Sequence, residues 1–353
     1  MQQLLQQPTS TLGLSSHRCN GWRAAVTSLL AGVVLLCFSR MALAAEITPF
    51  DTFDQSPLVQ IYGLPAPGRA KVLAPGEYQA GLTMDLANDF AHNETERESI
   101  SLDGETLRST LSLARGIAGG YEAGLELPIV SQSGGFMDGF IEGWHHFFHL
   151  PNGNRSDSPR NRLSYFYEKD GATRLNFNNR NTGIGDLRLT GGSQLYRDEL
   201  TAVTLRAALK LPTGDSAGLL GSGSTDLALW ATADHDYPFE SLGHAAIFGA
   251  LGALGKTEGD VLPSQERYLV GFGSLGAGWS PTKRLAFKLQ LSGHSPFYRD
   301  SDLVELNAFS LLLTFGGTVA FTEKTALDIG VSEDVLINRS PDITFHLALT
   351  TRF

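Results

Sequence analysis

Four side chains able to bind a metal or move a proton crowd into one short run, IEGWHHFFHL: Glu142, His145, His146 and His149. On a helix, Glu142, His145 and His149 stand at i, i+3 and i+7 and share a face. Imidazoles and a carboxylate are ligand types that zinc accepts. The spacing matches no specific zinc signature, and histidines among aromatics suit a water–lipid boundary equally well, so neither a metal nor a cofactor is assigned. Ser131 and Ser133 lie just upstream, which makes a Ser–His hydrolase the rival chemistry. No nucleophile motif surrounds either serine, and no residue is assigned as catalytic. GIGD at Gly183–Asp186 and LPTGD at Leu211–Asp215 invite a phosphate-loop reading, but no helix follows either, and strand-end turns explain both better.

The histidines need an element to carry them. Phe136, Phe140, Trp144 and Phe147–Phe148 recur at near-helical spacing, ended by Leu150-Pro151 and the Asn152-Gly153 turn signal. This predicts a short amphipathic helix inside a long connection, residues 131–182. The second part of that connection, 162–168 and 172–178 about Asp170-Gly171, reads as a hairpin.

Most of the remaining chain alternates with a period of two. Ile343, Phe345, Leu347, Leu349, Thr351 and Phe353 fall on one side of a C-terminal strand, and Asp342, Thr344, His346, Ala348, Thr350 and Arg352 on the other. Phe309, Leu311, Leu313, Phe315, Val319 and Phe321 oppose Ser310, Thr314, Thr318 and Ala320; Leu285, Phe287, Leu289 and Leu291 oppose Arg284, Lys288, Gln290 and His294. Twelve such strands can be read, at 77–90, 105–116, 120–130, 183–196, 199–212, 225–236, 242–256, 266–280, 284–297, 304–321, 324–335 and 342–353. Connections at 117–119, 197–198, 237–241, 281–283 and 322–323 are short; those at 91–104, 131–182, 213–224, 257–265, 298–303 and 336–341 are longer. Alternating short and long connections, an even strand count and strands of about a dozen residues describe an all-β transmembrane barrel with strands running up and down. Tyr121, Trp279, Phe321 and Phe353 gather at the short-connection ends as an interfacial girdle. A soluble sandwich would alternate too, but with a charged outer face and shorter strands.

With the apolar face against lipid, the polar face lines a lumen. Its candidate members are Arg108, Glu122, Glu126, Asp186, Arg188, Arg206, Lys210, Lys288, Asp328 and Arg352. Both signs are present. They could line an aqueous path or pair into a salt-bridge network that fills the barrel. The long connection, with Glu142, Trp144, His145, His146 and His149, becomes a gate candidate that either folds into the mouth or lies on the outer leaflet.

The N-terminus bears on export. Arg18 and Arg23 precede the apolar run Ala24–Phe38, and Met41-Ala42-Leu43-Ala44 offers an A-x-A site, so a leader cleaved after Ala44 is expected. Both cysteines, Cys19 and Cys37, fall in that leader. The full chain carries a net charge of −10, and without Arg18, Arg23 and Arg40 the balance is more acidic still, which argues against a nucleic-acid partner. Residues 45–75 follow as an irregular segment, rich in proline yet apolar at Phe50, Phe53, Leu58, Val59, Ile61 and Tyr62. It reads as a plug tucked into the periplasmic side of the lumen, or else as a periplasmic strap or partner-binding segment. Residues 76–353 are the barrel.

TPFDTFDQSPLVQIYGLP, LDGETLR, SGGFMDGFIEGWHHFFHLPNGNR and GIGDLRL together resemble a family of Gram-negative proteins grouped as a domain of unknown function. The resemblance covers nearly the whole chain after the leader. It implies an outer-membrane barrel and supplies no activity, ligand or catalytic residue. The C-terminal strand, through Phe345, Leu347, Leu349 and Phe353, is similar to the signal read by the barrel-assembly machinery, although Thr351 departs from the usual apolar residue. The expected role is an outer-membrane pore or transporter for a small solute, with outer-membrane lipids and the assembly machinery as partners. An enzyme at the external rim and a closed structural or adhesive barrel are the alternatives.

Overall fold

The computed structural model describes residues 45–148 and 159–353, with the backbone alone for 144–148. The predicted leader and His149 lie outside the described residues. The strands are β1 (Tyr78–Glu94), β2 (Glu98–Ile117), β3 (Tyr121–Ser133), β4 (Ser164–Lys169), β5 (Ala172–Phe177), β6 (Asn181–Ile184), β7 (Leu187–Arg197), β8 (Thr201–Leu211), β9 (Asp226–Phe239), β10 (Gly243–Lys256), β11 (Leu269–Thr282), β12 (Leu285–His294), β13 (Ser310–Ala320), β14 (Thr325–Asp334) and β15 (Ile343–Arg352). The helices are α1 (Asp138–Phe148) and α2 (Val304–Asn307). Strands β1, β2, β3 and β7 through β15 form a closed antiparallel ring of twelve, in which β15 pairs back onto β1. Closure leaves the ring no unpaired edge, which a lipid-embedded sheet requires.

The alternation sorts the two faces. On β15, Thr344, His346 and Ala348 are buried inward, whereas Leu347 and Leu349 are exposed outward. The same pattern exposes Leu111 and Leu113 on β2, Leu227 and Leu229 on β9, and Phe287, Leu289 and Leu291 on β12. An outer belt of exposed leucine and phenylalanine is the surface expected against acyl chains. Tyr121, Trp279, Phe321 and Phe353 are exposed near the short-turn rim, where Trp279 Nε1 donates to the Leu242 carbonyl at 2.9 Å.

The opposite rim differs in places from the expected pattern. The connection expected at 91–104 is nearly all strand: β1 and β2 stay paired from Tyr78↔Arg115 to Glu94↔Ser99, well beyond the ring. Hairpin β4–β5 extends this sheet by pairing with β2 over Glu98–Asp103. The expected tenth strand begins only at Ser310, because residues 304–307 turn as α2 and bury Leu303 and Leu306. Above the ring a dome forms from Tyr165 and Tyr167, Leu219, Val261 and Leu262, Phe297, Tyr298, Leu303 and Leu306. The predicted helix is α1, and it lies outside the barrel mouth. Met137 and Ile141 pack on Ile343, which faces outward, and the Phe140 ring meets Phe345 at 5.7 Å. The helix straps the external wall across the seam where β15 joins β1.

Candidate functional site

Residues 45–75 run through the lumen. The segment starts at the short-turn rim, where the Ala45 amide donates to the Thr282 carbonyl at 3.0 Å. It rises to a turn at Ser56–Tyr62, whose Leu58, Val59, Ile61 and Tyr62 join the dome core. It then descends to the same rim, where the Gly76 amide donates to the Gly116 carbonyl at 2.9 Å. The sequence predicts a plug on the periplasmic side of the lumen, or else a periplasmic strap or partner-binding segment; the segment instead spans the height of the barrel and is docked at the far mouth. Tyr62 stacks on Phe297 at 4.8 Å, and its hydroxyl donates to Glu266 at 2.8 Å.

The prolines keep this segment out of any ladder, so its backbone polar groups must find other partners. On the descending leg, wall side chains supply them. Asp226 accepts from the Gly63 amide at 2.6 Å; Arg188 donates to Leu64 O at 3.0 Å, and Trp230 to Pro67 O at 2.8 Å. Arg206 donates to Arg69 O at 2.9 Å, Thr204 to Ala70 O at 2.5 Å, and Glu122 accepts from the Leu73 amide at 3.0 Å.

The ascending leg is held chiefly by charge and aromatic faces. Glu46 pairs with Arg352. Burial opposes ionisation of Glu46, but Arg352, Arg69 and Lys71 outweigh it and hold the carboxyl below its usual range. The Phe50 amide donates to Gln290 at 2.8 Å, and Lys288 Nζ lies 4.1 Å from the Phe50 ring centroid. Phe53 sits between Arg108 and Arg188, at 5.4 and 5.2 Å. Asp54 is buried against His294 Nε2 at 3.0 Å and the Ser310 hydroxyl at 2.9 Å. Asp85 accepts from Thr52 at 2.9 Å and lies 2.8 Å from His346 Nδ1.

All ten lumen candidates face inward. Glu126–Arg188 pair at 2.9 Å, Glu122–Arg206 at 2.7 Å, Asp186–Lys210 at 2.5 Å and Lys288–Asp328 at 2.9 Å. Arg352 reaches Glu46, and Arg108 reaches the carbonyl and side-chain oxygens of Gln60. Glu122 and Arg206 meet across Gly192, which stands between them in the register; a Cβ there would lie 3.0 Å from the Glu122 side chain. The wall partners missed from the sequence include Gln290, His294, His346, Asp85, Thr204, Asp226 and Trp230. His294 and His346 stood on polar faces, but their partners come from segments distant in the chain.

These contacts leave a cavity of about 580 Å³ beside the ascending leg. It reaches the short-turn rim at Lys283, Arg284 and Lys324, runs along Thr110, Ser112, Thr318 and Ala348, and meets Asp51, Phe53 and Arg188 at its inner end.

The long-connection candidates lie apart from the lumen. Glu142 pairs with Arg160 at the surface. Trp144, His145 and His146 lie on α1, with their side chains outside the description. Ser131 bonds the Thr182 hydroxyl at 2.8 Å, and the Ser133 hydroxyl accepts from the Gly135 amide at 3.1 Å. Phe345 underlies α1, Leu347 and Leu349 face outward, and Phe353 stacks on Tyr78 at 5.7 Å.

Comparison with known proteins places the fold. The COG4313 outer membrane channel from Pseudomonas putida F1 aligns over 82% of this chain and 100% of its own, with a TM-score of 0.55 and 14% identity. The NanC porin aligns over 78% of this chain and 98% of its own, with a TM-score of 0.42 and 8% identity. No curated protein matches the sequence. The likeness to the channel is one of fold, an outer-membrane β-barrel. A family model described as protein of unknown function (DUF3187) matches residues 26–353, and the chain belongs to that family.

Proposed function

We propose that the protein is an outer-membrane pore or transporter for a small solute, exported by its leader and closed in this conformation by residues 45–75. The single observation that carries the reading is the way this segment is held. It fills the lumen through hydrogen bonds, ion pairs and ring contacts while leaving a water-accessible vestibule beside it. A barrel with only a structural role has no need of a vestibule extending from the rim to mid-lumen. Short turns mark the periplasmic rim in such barrels, which makes the vestibule periplasmic and the dome external. Outer-membrane lipids contact the leucine belt, and the C-terminal strand ending at Phe353 serves the assembly machinery.

Proteoliposome swelling tests the pore. Vesicles holding the chain without residues 46–75 should swell in an isosmotic sugar much faster than vesicles holding the intact mature chain. Equal, negligible swelling with both proteins folded would exclude a lumen closed by this segment.

A further inference from the structure

The ascending leg, residues 45–57, carries three carboxylates, Glu46, Asp51 and Asp54, and no lysine, arginine or histidine. Its core is Phe50-Asp51-Thr52-Phe53-Asp54, in which rings and acids are interspersed. Apart from Asp51, which accepts from the Thr83 hydroxyl at 3.3 Å, the wall beneath it answers in kind. Phe50 lies under Lys288, Phe53 between Arg108 and Arg188, Asp54 on His294 and Glu46 on Arg352.

The charge balance of that wall is uneven. Three of its acids have a basic partner on the wall itself: Asp328 has Lys288, Glu126 has Arg188, and Asp85 has His346, while Asp334 is held by the Leu336, Arg339 and Ser340 amides. Its bases are in excess. Among the described residues no wall carboxylate pairs with Arg352, Arg108 or His294; the leg supplies the acid for Arg352 and His294, and a carbonyl and an aromatic face are what Arg108 receives. Arg108 is buried, and its Nε has no hydrogen-bond partner. Lifting the leg away uncovers the Arg352 and Arg108 guanidinium groups and the His294 imidazole within an enclosed barrel, where an unpaired charge is costly.

We infer that the ascending leg is an internal stand-in for the solute, and that the groove under it takes an aromatic carboxylate. This rests on the pore reading above. A carboxylate replaces Asp54 or Glu46 on His294 or Arg352, and a ring replaces Phe50 or Phe53 against Lys288 or Arg108. A cationic solute finds Asp328, Glu126 and Asp85 already paired and Asp334 already bonded to backbone amides. An aliphatic acid satisfies the charge and forfeits the ring contacts. The vestibule gives such a molecule a way to the leg, which it displaces by competition rather than by force.

The test compares benzoate, acetate and benzylammonium on the refolded chain lacking residues 46–57, by titration calorimetry and by reversal potential in a planar bilayer. Benzoate should bind at least about tenfold more tightly than either of the other two, and the current should be anion-selective. Benzylammonium binding as well as benzoate overturns the anionic site; acetate binding as well as benzoate overturns its aromatic half. If the deleted chain does not fold, the intact chain with Glu46→Gln and Asp54→Asn takes its place. There benzoate should raise conductance at lower concentration than in the parent, and an unchanged response overturns the proposal. Conductance without benzoate preference defeats this inference and leaves the pore standing. Benzoate binding without conductance defeats the pore reading, and with it the stand-in for a transported solute, and leaves only an aromatic-anion site in the groove.

Discussion

At the scale of single residues, the lumen is organised by charges that depend on one another. Lys210 is buried between Asp186 and Asp226, and its ammonium also donates to the Ser222 hydroxyl and the Ser224 carbonyl. Removing one member of such a group leaves a buried ion undercompensated, so Asp186→Ala should cost about 3 kcal/mol. The check is the urea midpoint of the protein refolded in lipid, and an unmoved midpoint would show that the network is not load-sharing. Glu46 adds a pH dependence. Its carboxyl is held below the usual range in the docked leg, so the Arg352 contact is fully present above the ordinary glutamate range. It is lost as pH falls through the lowered value, and acid should loosen the leg. Protease cleavage within residues 45–57 should therefore accelerate on acidification, and Glu46→Gln should flatten that dependence.

At the scale of elements, the twelve strands were legible because one face meets lipid and the other a polar interior, which imposes a period of two on every crossing. The helix α1 was legible for the same reason at a period near 3.6. The β1–β2 extension was not, because residues 91–104 lie beyond the lipid and lose the apolar face that marks a strand. The lumen-facing charges could be named from the pattern, but not their partners. Glu122 meets Arg206 through the register of β3, β7 and β8, and Asp54 meets His294 across most of the chain. The course of residues 45–75 was least readable, since a proline-rich segment has no period. One glycine fixes where it leaves the lumen. A Cβ on Gly116 would lie 2.0 Å from the Ala74 carbonyl oxygen. Gly116→Val should push the segment off β2 at the rim, raising open-state current while the barrel stays folded by gel mobility. On the outer wall, Ile141→Asp should detach α1 and expose residues 134–148 to added protease on intact cells; resistance equal to the parent would mean that the strap is held elsewhere.

At the scale of the whole molecule, the barrel, the dome and the internal segment form one mechanism. The ring supplies a rigid wall, the dome closes the external mouth, and the segment links the two by carrying Leu58–Tyr62 into the dome core. Its two legs are held differently. The descending leg has its backbone hydrogen-bonded along its length by wall side chains and continues into β1, so it behaves as part of the wall. The ascending leg rests on ion pairs, ring contacts and a few hydrogen bonds, which a competing solute of the same chemistry can replace. Opening by the ascending leg alone requires no change in the ring. The most direct test is single-channel recording of residues 45–353 beside the same chain lacking residues 46–75, in one bilayer system with heat-modifiable folding confirmed for both. Brief, infrequent steps from the intact chain and large, sustained steps from the truncated one are expected. Identical conductance from the two, whether open or silent, would contradict a lumen closed by this segment.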